Sequence, residues 1–123
     1  MYGVDYRVIR NIALLKEINP FEKKEKFILY QGAVNEGRSF ETLIPAMKEV
    51  NIPLHIYGDG NFLFQTKALI ETHQLTKKIL LKGKLEPGLL QQVTPHAFAG
   101  ITIFENNGRS NYFSLANRFF DYI

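Results

Sequence analysis

Apolar residues fall along this chain in short blocks that alternate between two spacings. Phe27-Ile28-Leu29-Tyr30 is continuous and of strand length, the pattern of a strand buried on both faces. After Ser39, a favourable N-cap residue, Phe40, Leu43, Ile44, Met47 and Val50 recur at helical spacing on one side. Pro45 lies inside that helix and is expected to remove a backbone hydrogen bond and bend it, or to mark a later start. Asn51-Ile52-Pro53 breaks it. Pro53 to Tyr57 predicts a second buried strand, which runs into the turn Gly58-Asp59-Gly60. Asn61 is expected to cap a helix reaching about His73, with Leu63, Phe64, Leu69 and Ile70 on its buried side. Ile79-Leu80-Leu81 centres a third strand that Gly83 ends. Glu86-Pro87 opens a short helix to about Val93, stopped by Pro95. Phe98 to Phe104 predicts a fourth strand, and Glu105 to Asn111 a polar loop. Ser114 to Ile123 reads as a last helix, with Leu115, Phe119, Phe120 and Ile123 as its apolar positions.

Strands that alternate with helices imply a parallel sheet joined by right-handed crossovers. The expected fold class is α/β, a Rossmann-like parallel sheet of four strands with helices on both faces. Doubly wound sheets commonly have about five or six strands, so the domain is expected to be incomplete. The segment before Phe27 is harder to read. Tyr6 to Arg10 suggests a short strand and Ile12 to Glu17 a helical turn, followed by a loop from Asn19. Residues 1–26 are taken as a lead-in or interdomain linker, and residues 27–123 as the partial domain.

Composition narrows the class further. The chain has 123 residues, of which 46% are hydrophobic and 22% charged, ordinary for one globular domain. It has no cysteine, which excludes disulfides and thiolate chemistry. No apolar run reaches the roughly 18–20 residues that span a bilayer. The net charge of +3 and pI near 9.2 suit an anionic ligand without demanding nucleic acid. Lys23, Lys24 and Lys26 and the pair Lys77-Lys78 read as solvated surface. No stripe interleaves aromatics with basic residues, so no nucleic-acid partner is expected.

The positions with chemical potential lie at the carboxyl ends of the strands, where open α/β sheets bind ligands. They are Gly32 to Arg38, Gly58 to Asn61, Gly83 to Leu85 and Glu105 to Ser114. A strand, a glycine turn and a helix N-terminus at Gly58 to Asn61 could present backbone N–H groups to an anion. Arg38 could pair with phosphate in a bidentate fork or stand as a solvated helix-start arginine. Amides near Ser114 to Asn117 could face a phosphate. Asp121 could accept hydrogen bonds from sugar hydroxyls or be a plain surface acid. Leu63 stands where a dinucleotide fingerprint needs its third glycine, and no Gly-Lys-Ser/Thr loop is present. His55, His73 and His96 lack metal-ligand spacing, so no metal is expected. No serine is set as a nucleophile elbow.

These residues carry a resemblance. Tyr30-Gln31-Gly32, Arg38, Leu43-Ile44-Pro45-Ala46, Ile56-Tyr57-Gly58-Asp59-Gly60, Leu81-Lys82-Gly83 and the run Ser114 to Ile123 resemble the C-terminal domain of GT-B glycosyltransferases. The match is to the group 1, or family 4, retaining enzymes, over roughly Phe27 to Ile123. The resemblance implies a site for a nucleotide-diphosphate sugar, the donor substrate, and no other cofactor. It assigns Arg38, where lysine is more usual, to the donor diphosphate, and Gly83 to Leu85 to the base. Asp121, in place of the usual Glu, would bind the ribose. The helix start at Ser114 and Leu115 would support the diphosphate, beside the glycines Gly32, Gly58 and Gly60. Two positions depart from the family. Ala33 replaces an Arg that often follows the first-loop glycine, which weakens the diphosphate grip. Phe113 replaces a second Glu, leaving the donor sugar and stereochemical outcome open.

The expected function is therefore the donor-binding domain of an enzyme that moves a sugar to a glycan or lipid-linked acceptor. The acceptor would dock on a domain that this chain lacks, so the chain alone is expected to be inactive. The expected location is cytoplasmic, at the inner face of a membrane in the full enzyme. The alternative is a non-catalytic α/β binding or assembly module, paired as a homodimer through an exposed edge strand. A flavodoxin-like domain would share the fold and lack the motif set.

Overall fold

A computed structural model describes residues 23–114 and 117–122 together with Gly3 and Arg7. Its strands are β1 (Ile28–Gln31), β2 (Leu54–Tyr57), β3 (Ile79–Gly83) and β4 (Ala99–Gly100). Its helices are α1 (Phe40–Ala46), α2 (Leu63–Thr72), α3 (Pro87–Val93), α4 (Arg109–Tyr112) and α5 (Asn117–Asp121). The strands form one parallel sheet in the order β3-β2-β1-β4. Gln31 pairs with Tyr57 and Tyr57 with Gly83, so three strands end in line at one rim of the sheet. The α/β, Rossmann-like architecture expected from the alternation of strands and helices is the one observed.

The sheet is covered on both faces, because side chains along a strand alternate between them. Tyr30, Leu54, Ile56 and Ile79 pack with Phe40, Leu43 and Ile44 of α1, with Met47 and with Ile70 of α2. On the opposite face Phe27, Leu29 and Ala97 cluster with Tyr57, Val93 of α3 and Tyr122. Phe27 also stacks on His55, with ring centroids 4.3 Å apart. Burial and the charge of Lys82 hold the imidazole of His55 below its usual range.

Several local expectations are corrected. Pro45 neither delays nor breaks α1, which starts at Phe40 and tightens into a 3-10 turn over Met47–Glu49. The missing N–H falls in the last turn, where tightening is common. Ser39 does occupy the N-cap, but in a left-handed conformation (φ 55°) with no side-chain cap bond. Asn61 does not cap α2. Phe62 holds that position, and Asn61 Oδ1 instead accepts the Glu36 N–H at 3.2 Å. Phe64 is 82% exposed, while Thr66 and Ile70 turn inward. At about 100° per residue, the inward stripe runs Leu63, Thr66, Ile70 and leaves Phe64 to one side. α3 ends at Val93, as expected, and Pro95 lies just beyond it in a 3-10 turn over Thr94–His96.

The carboxyl-terminal third departs most. The expected polar loop gives way to α4 at Arg109, and of the helix expected over Ser114 to Ile123 the described residues show α5 over Asn117–Asp121, with Ser114 outside it. Phe119, placed on the apolar side, is 47% exposed. Leu115 and Ile123 lie outside the described residues. So do the strand expected at Tyr6 to Arg10, apart from Arg7, and the helical turn expected at Ile12 to Glu17.

The fourth strand is also shorter than its apolar run, and Tyr122 supplies the reason. The Ile101 N–H donates to the Leu29 carbonyl at 2.8 Å. The next rung of a parallel ladder would join the Gln31 N–H to the Ile101 carbonyl. The Tyr122 hydroxyl occupies that gap. It accepts the Gln31 N–H at 3.1 Å and lies 3.3 Å from the carbonyls of both Ile101 and Leu29, with one proton to share between them. The Tyr122 ring rests against Gly100, where a Cβ would overlap it. β1 and β4 therefore diverge just beyond Gly100.

Candidate functional site

In the order β3-β2-β1-β4 the chain reverses its direction of growth between β1 and β4. That switch point is where a crevice opens at the carboxyl ends of the strands. The loops that follow the strands meet there. The Val34 N–H donates to Asp59 O at 3.0 Å and the Phe62 N–H to Val34 O at 2.9 Å. The Asn61 N–H donates to Asn35 Oδ1 at 3.1 Å, returning the contact from Asn61 to Glu36. The Glu105 N–H donates to Gly37 O at 3.1 Å, which ties in the loop after β4.

The glycines of the second loop serve these approaches. A Cβ on Gly58 would strike the Gly32 carbonyl, and one on Gly60 would strike Val34 O and Asn35 Oδ1. Their amides are not open to a ligand. The Gly58 N–H donates to Gly83 O at 2.9 Å and the Gly60 N–H to Asp59 Oδ1 at 2.8 Å. The Gly32 N–H is likewise spent on Tyr57 O at 2.9 Å, and the Ser114 N–H on Asn111 O at 3.2 Å. The loop geometry is thus that of a rim, but its amides at these points hold the protein together. At these four points contact with an anion falls to side chains.

Two arginines stand at the crevice. Arg38 leaves the first loop and places its guanidinium 4.3 Å from the centre of the Phe104 ring. Arg118, on α5, lies 5.7 Å from the same ring centre and 5.0 Å from that of Tyr30. Its guanidinium carbon comes within 2.9 Å of the point where Gly32 would carry a Cβ. Only glycine leaves that space. Among the described residues, Nη1 of Arg118 is buried without a hydrogen-bond partner.

Asp121, three residues after Arg118, reaches the same crevice from its far wall. Its Oδ2 accepts a hydrogen bond from Gln31 Nε2 at 3.2 Å, and Gln31 Oε1 lies 2.8 Å from the Thr94 hydroxyl. Gln31 is buried at 4% exposure, so Asp121 is held at the end of β1 by a group with no freedom to leave. Burial raises the neighbouring Tyr122 phenol to about 12, against the opposing hydrogen bond from Gln31 and the charge of Arg118.

Of the residues read from the sequence, Gly32 and Asp121 meet at the end of β1, through Arg118 and Gln31 respectively, and Arg38 meets the Phe104 ring that Arg118 also approaches. Gly58 and Gly60 shape the adjoining loop. Gly83 has φ +74° and open space at its Cβ position, and joins the rim through its carbonyl. Leu85 is half-buried in the loop after β3, Ser114 is exposed between α4 and α5, and Leu115 lies outside the described residues. Arg118 went unread. Its spacing of three from Asp121 puts the two on neighbouring positions of one helical turn, which was the available signal.

A parallel sheet whose strand order reverses at β1, rimmed by glycine loops, defines the class of Rossmann-like α/β folds. The family model described as glycosyl transferases group 1 matches residues 11–103, and the chain belongs to that family. Among solved structures it is similar to a mutant of S. aureus TarM in complex with fondaparinux, alpha-GlcNAc-glycerol and UDP. That likeness has a TM-score of 0.60 at 21% identity, over 70% of this chain and 18% of that one. A second TarM crystal structure gives a TM-score of 0.57 at 21% identity, over 65% of this chain and 17% of that one. No curated protein sequence matches the chain.

Proposed function

We propose that the chain is the donor-binding portion of a glycosyltransferase. It would hold the nucleotide diphosphate of an activated sugar in the crevice between β1 and β4. The observation that carries this reading is the Gln31–Asp121 hydrogen bond at the end of β1, with Arg38 and Arg118 both brought to the Phe104 ring, within a chain of the group 1 family. Arg38 would neutralise charge on the departing diphosphate, the effect that dominates when a phosphate is the leaving group. Asp121 would accept hydrogen bonds from the ribose. Gly83 to Leu85 would lie under the base. UDP in the TarM complex makes a uridine diphosphate sugar the first donor to try. The acceptor would be a glycan or lipid-linked sugar, and the enzyme cytoplasmic, at the inner face of a membrane. The chain alone would bind donor without turnover.

The test is calorimetric titration with UDP, GDP and ADP sugars, repeated on Arg38→Ala and Asp121→Ala. Binding to one base class that falls about tenfold or more in each variant supports the reading, that being the scale of one charge-assisted hydrogen bond. Binding unaffected by either change refutes it. A second reading, an assembly module, draws on β4, whose residues are exposed and whose entry residue Phe98 is 64% exposed. A dimer in light scattering, dispersed by Phe98→Lys, is its expected signature.

A further inference from the structure

We infer that Arg118 is a second diphosphate-binding residue, acting with Arg38 beside the Phe104 ring that both approach. The inference rests on the donor-site reading above and names a contact that it does not contain.

The amides of Gly32, Gly58, Gly60 and Ser114 are consumed within the protein, and Ala33 offers no charge. At these points a diphosphate would be met by side chains, and one arginine leaves most of its charge unanswered. Arg118 supplies the second cation at the right place. Its guanidinium lies flat on Gly32, the first residue past β1, with its carbon and both terminal nitrogens within 3.1 Å of the absent Cβ. Aromatic rings of Tyr30 and Phe104 hold it by cation–π contact, so its orientation is set before any ligand arrives.

The electrostatics point the same way. Two guanidinium groups share the Phe104 ring, and like charges gathered at one ring repel. Nη1 of Arg118 is buried with no acceptor, an arrangement that costs free energy unless something completes it. An anion bearing two phosphates relieves both penalties at once. A guanidinium also matches phosphate oxygens in a planar fork, which a lysine cannot do. Arg118 therefore serves in space the role that Ala33 leaves vacant in sequence.

The experiment titrates the chain with UDP and, separately, with inorganic pyrophosphate, following phosphorus chemical shifts and calorimetric affinity. The proteins are wild type, Arg118→Lys, Arg118→Gln and Arg38→Ala. For both probes, Arg118→Gln is expected to weaken binding about tenfold or more, with Arg118→Lys intermediate, because it keeps charge and loses the fork. Uridine, which has no phosphate, should be indifferent to either change. Thermal melts of the variants separate loss of fold from loss of contact, and Arg118→Lys retains the cation over Tyr30. If Arg38→Ala weakens UDP binding while both Arg118 variants match wild type, the inference is overturned and the donor-site reading stands. If wild type binds neither probe, both are overturned.

Discussion

The Tyr122 hydroxyl shows how one side chain can set the local course of a sheet. It takes the Gln31 N–H that would otherwise bond Ile101, and its ring needs the bare Gly100 beneath it. Gly100→Ala would push the ring out and break those bonds. A loss of about 1–3 kcal/mol is expected, the usual scale for overpacking, and urea unfolding measures it. The same burial makes the residue a reporter of pH. Its folded pKa of about 12 exceeds the ordinary 10.0, so the folded state favours the neutral phenol. That contribution is full below pH 10 and is lost as pH rises from 10 towards 12. Tyr122→Phe should flatten this alkaline stretch of the stability profile, and ultraviolet titration of the phenolates should lose its latest step. None of this was legible in the sequence, where Tyr122 read as one more residue of a terminal helix. The information lies in the meeting of residues 100 and 122, which no periodicity records.

At the scale of elements, the strands were readable because their signal is redundant. Four consecutive apolar residues, Phe27 to Tyr30, cannot all be satisfied except in a strand covered on both faces, and β1 is that strand. α1 was readable for the same reason, with Phe40, Leu43, Ile44 and Met47 all buried. α2 was less so, since its inward stripe includes Thr66, a polar residue whose hydroxyl is satisfied within the helix by Phe62 O at 2.9 Å. Apolar pattern alone chose Phe64 instead. The expected consequence is unequal tolerance. Ile70→Ala should cost about 2–5 kcal/mol as a core truncation. Phe64→Ser should stay within about 0.5 kcal/mol, as exposed changes do. Chemical denaturation of both variants decides it, and a large loss at Phe64 would show that α2 docks by another face. α4, in what read as a polar loop, and α5 are both short, and short helices depend on packing rather than propensity.

Across the whole molecule, stability is expected to be graded from β1 outward. β1 and β2 lie inside the sheet and supply the fully buried Leu29, Tyr30, Leu54 and Ile56, whereas Ala99 and Gly100 of β4 are exposed. Native-state hydrogen exchange should find the slowest amides in β1 and β2, opening near the global free energy, and the fastest of the sheet in β4. Equal protection across all four strands would refute that gradient. The candidate site was half legible at this scale. Arg38 and Asp121 could be placed because each sits beside a predicted strand end or helix. The spent amides and Arg118 could not, because they depend on which loops touch. The phenol between β1 and β4 then gains a wider meaning. It works as a shim: the breadth of the cleft depends on whether the final short helix stays seated. Anything that lifts that helix would free the two strands to zip together by one more rung, and would carry Arg118 and Asp121 away in the same movement.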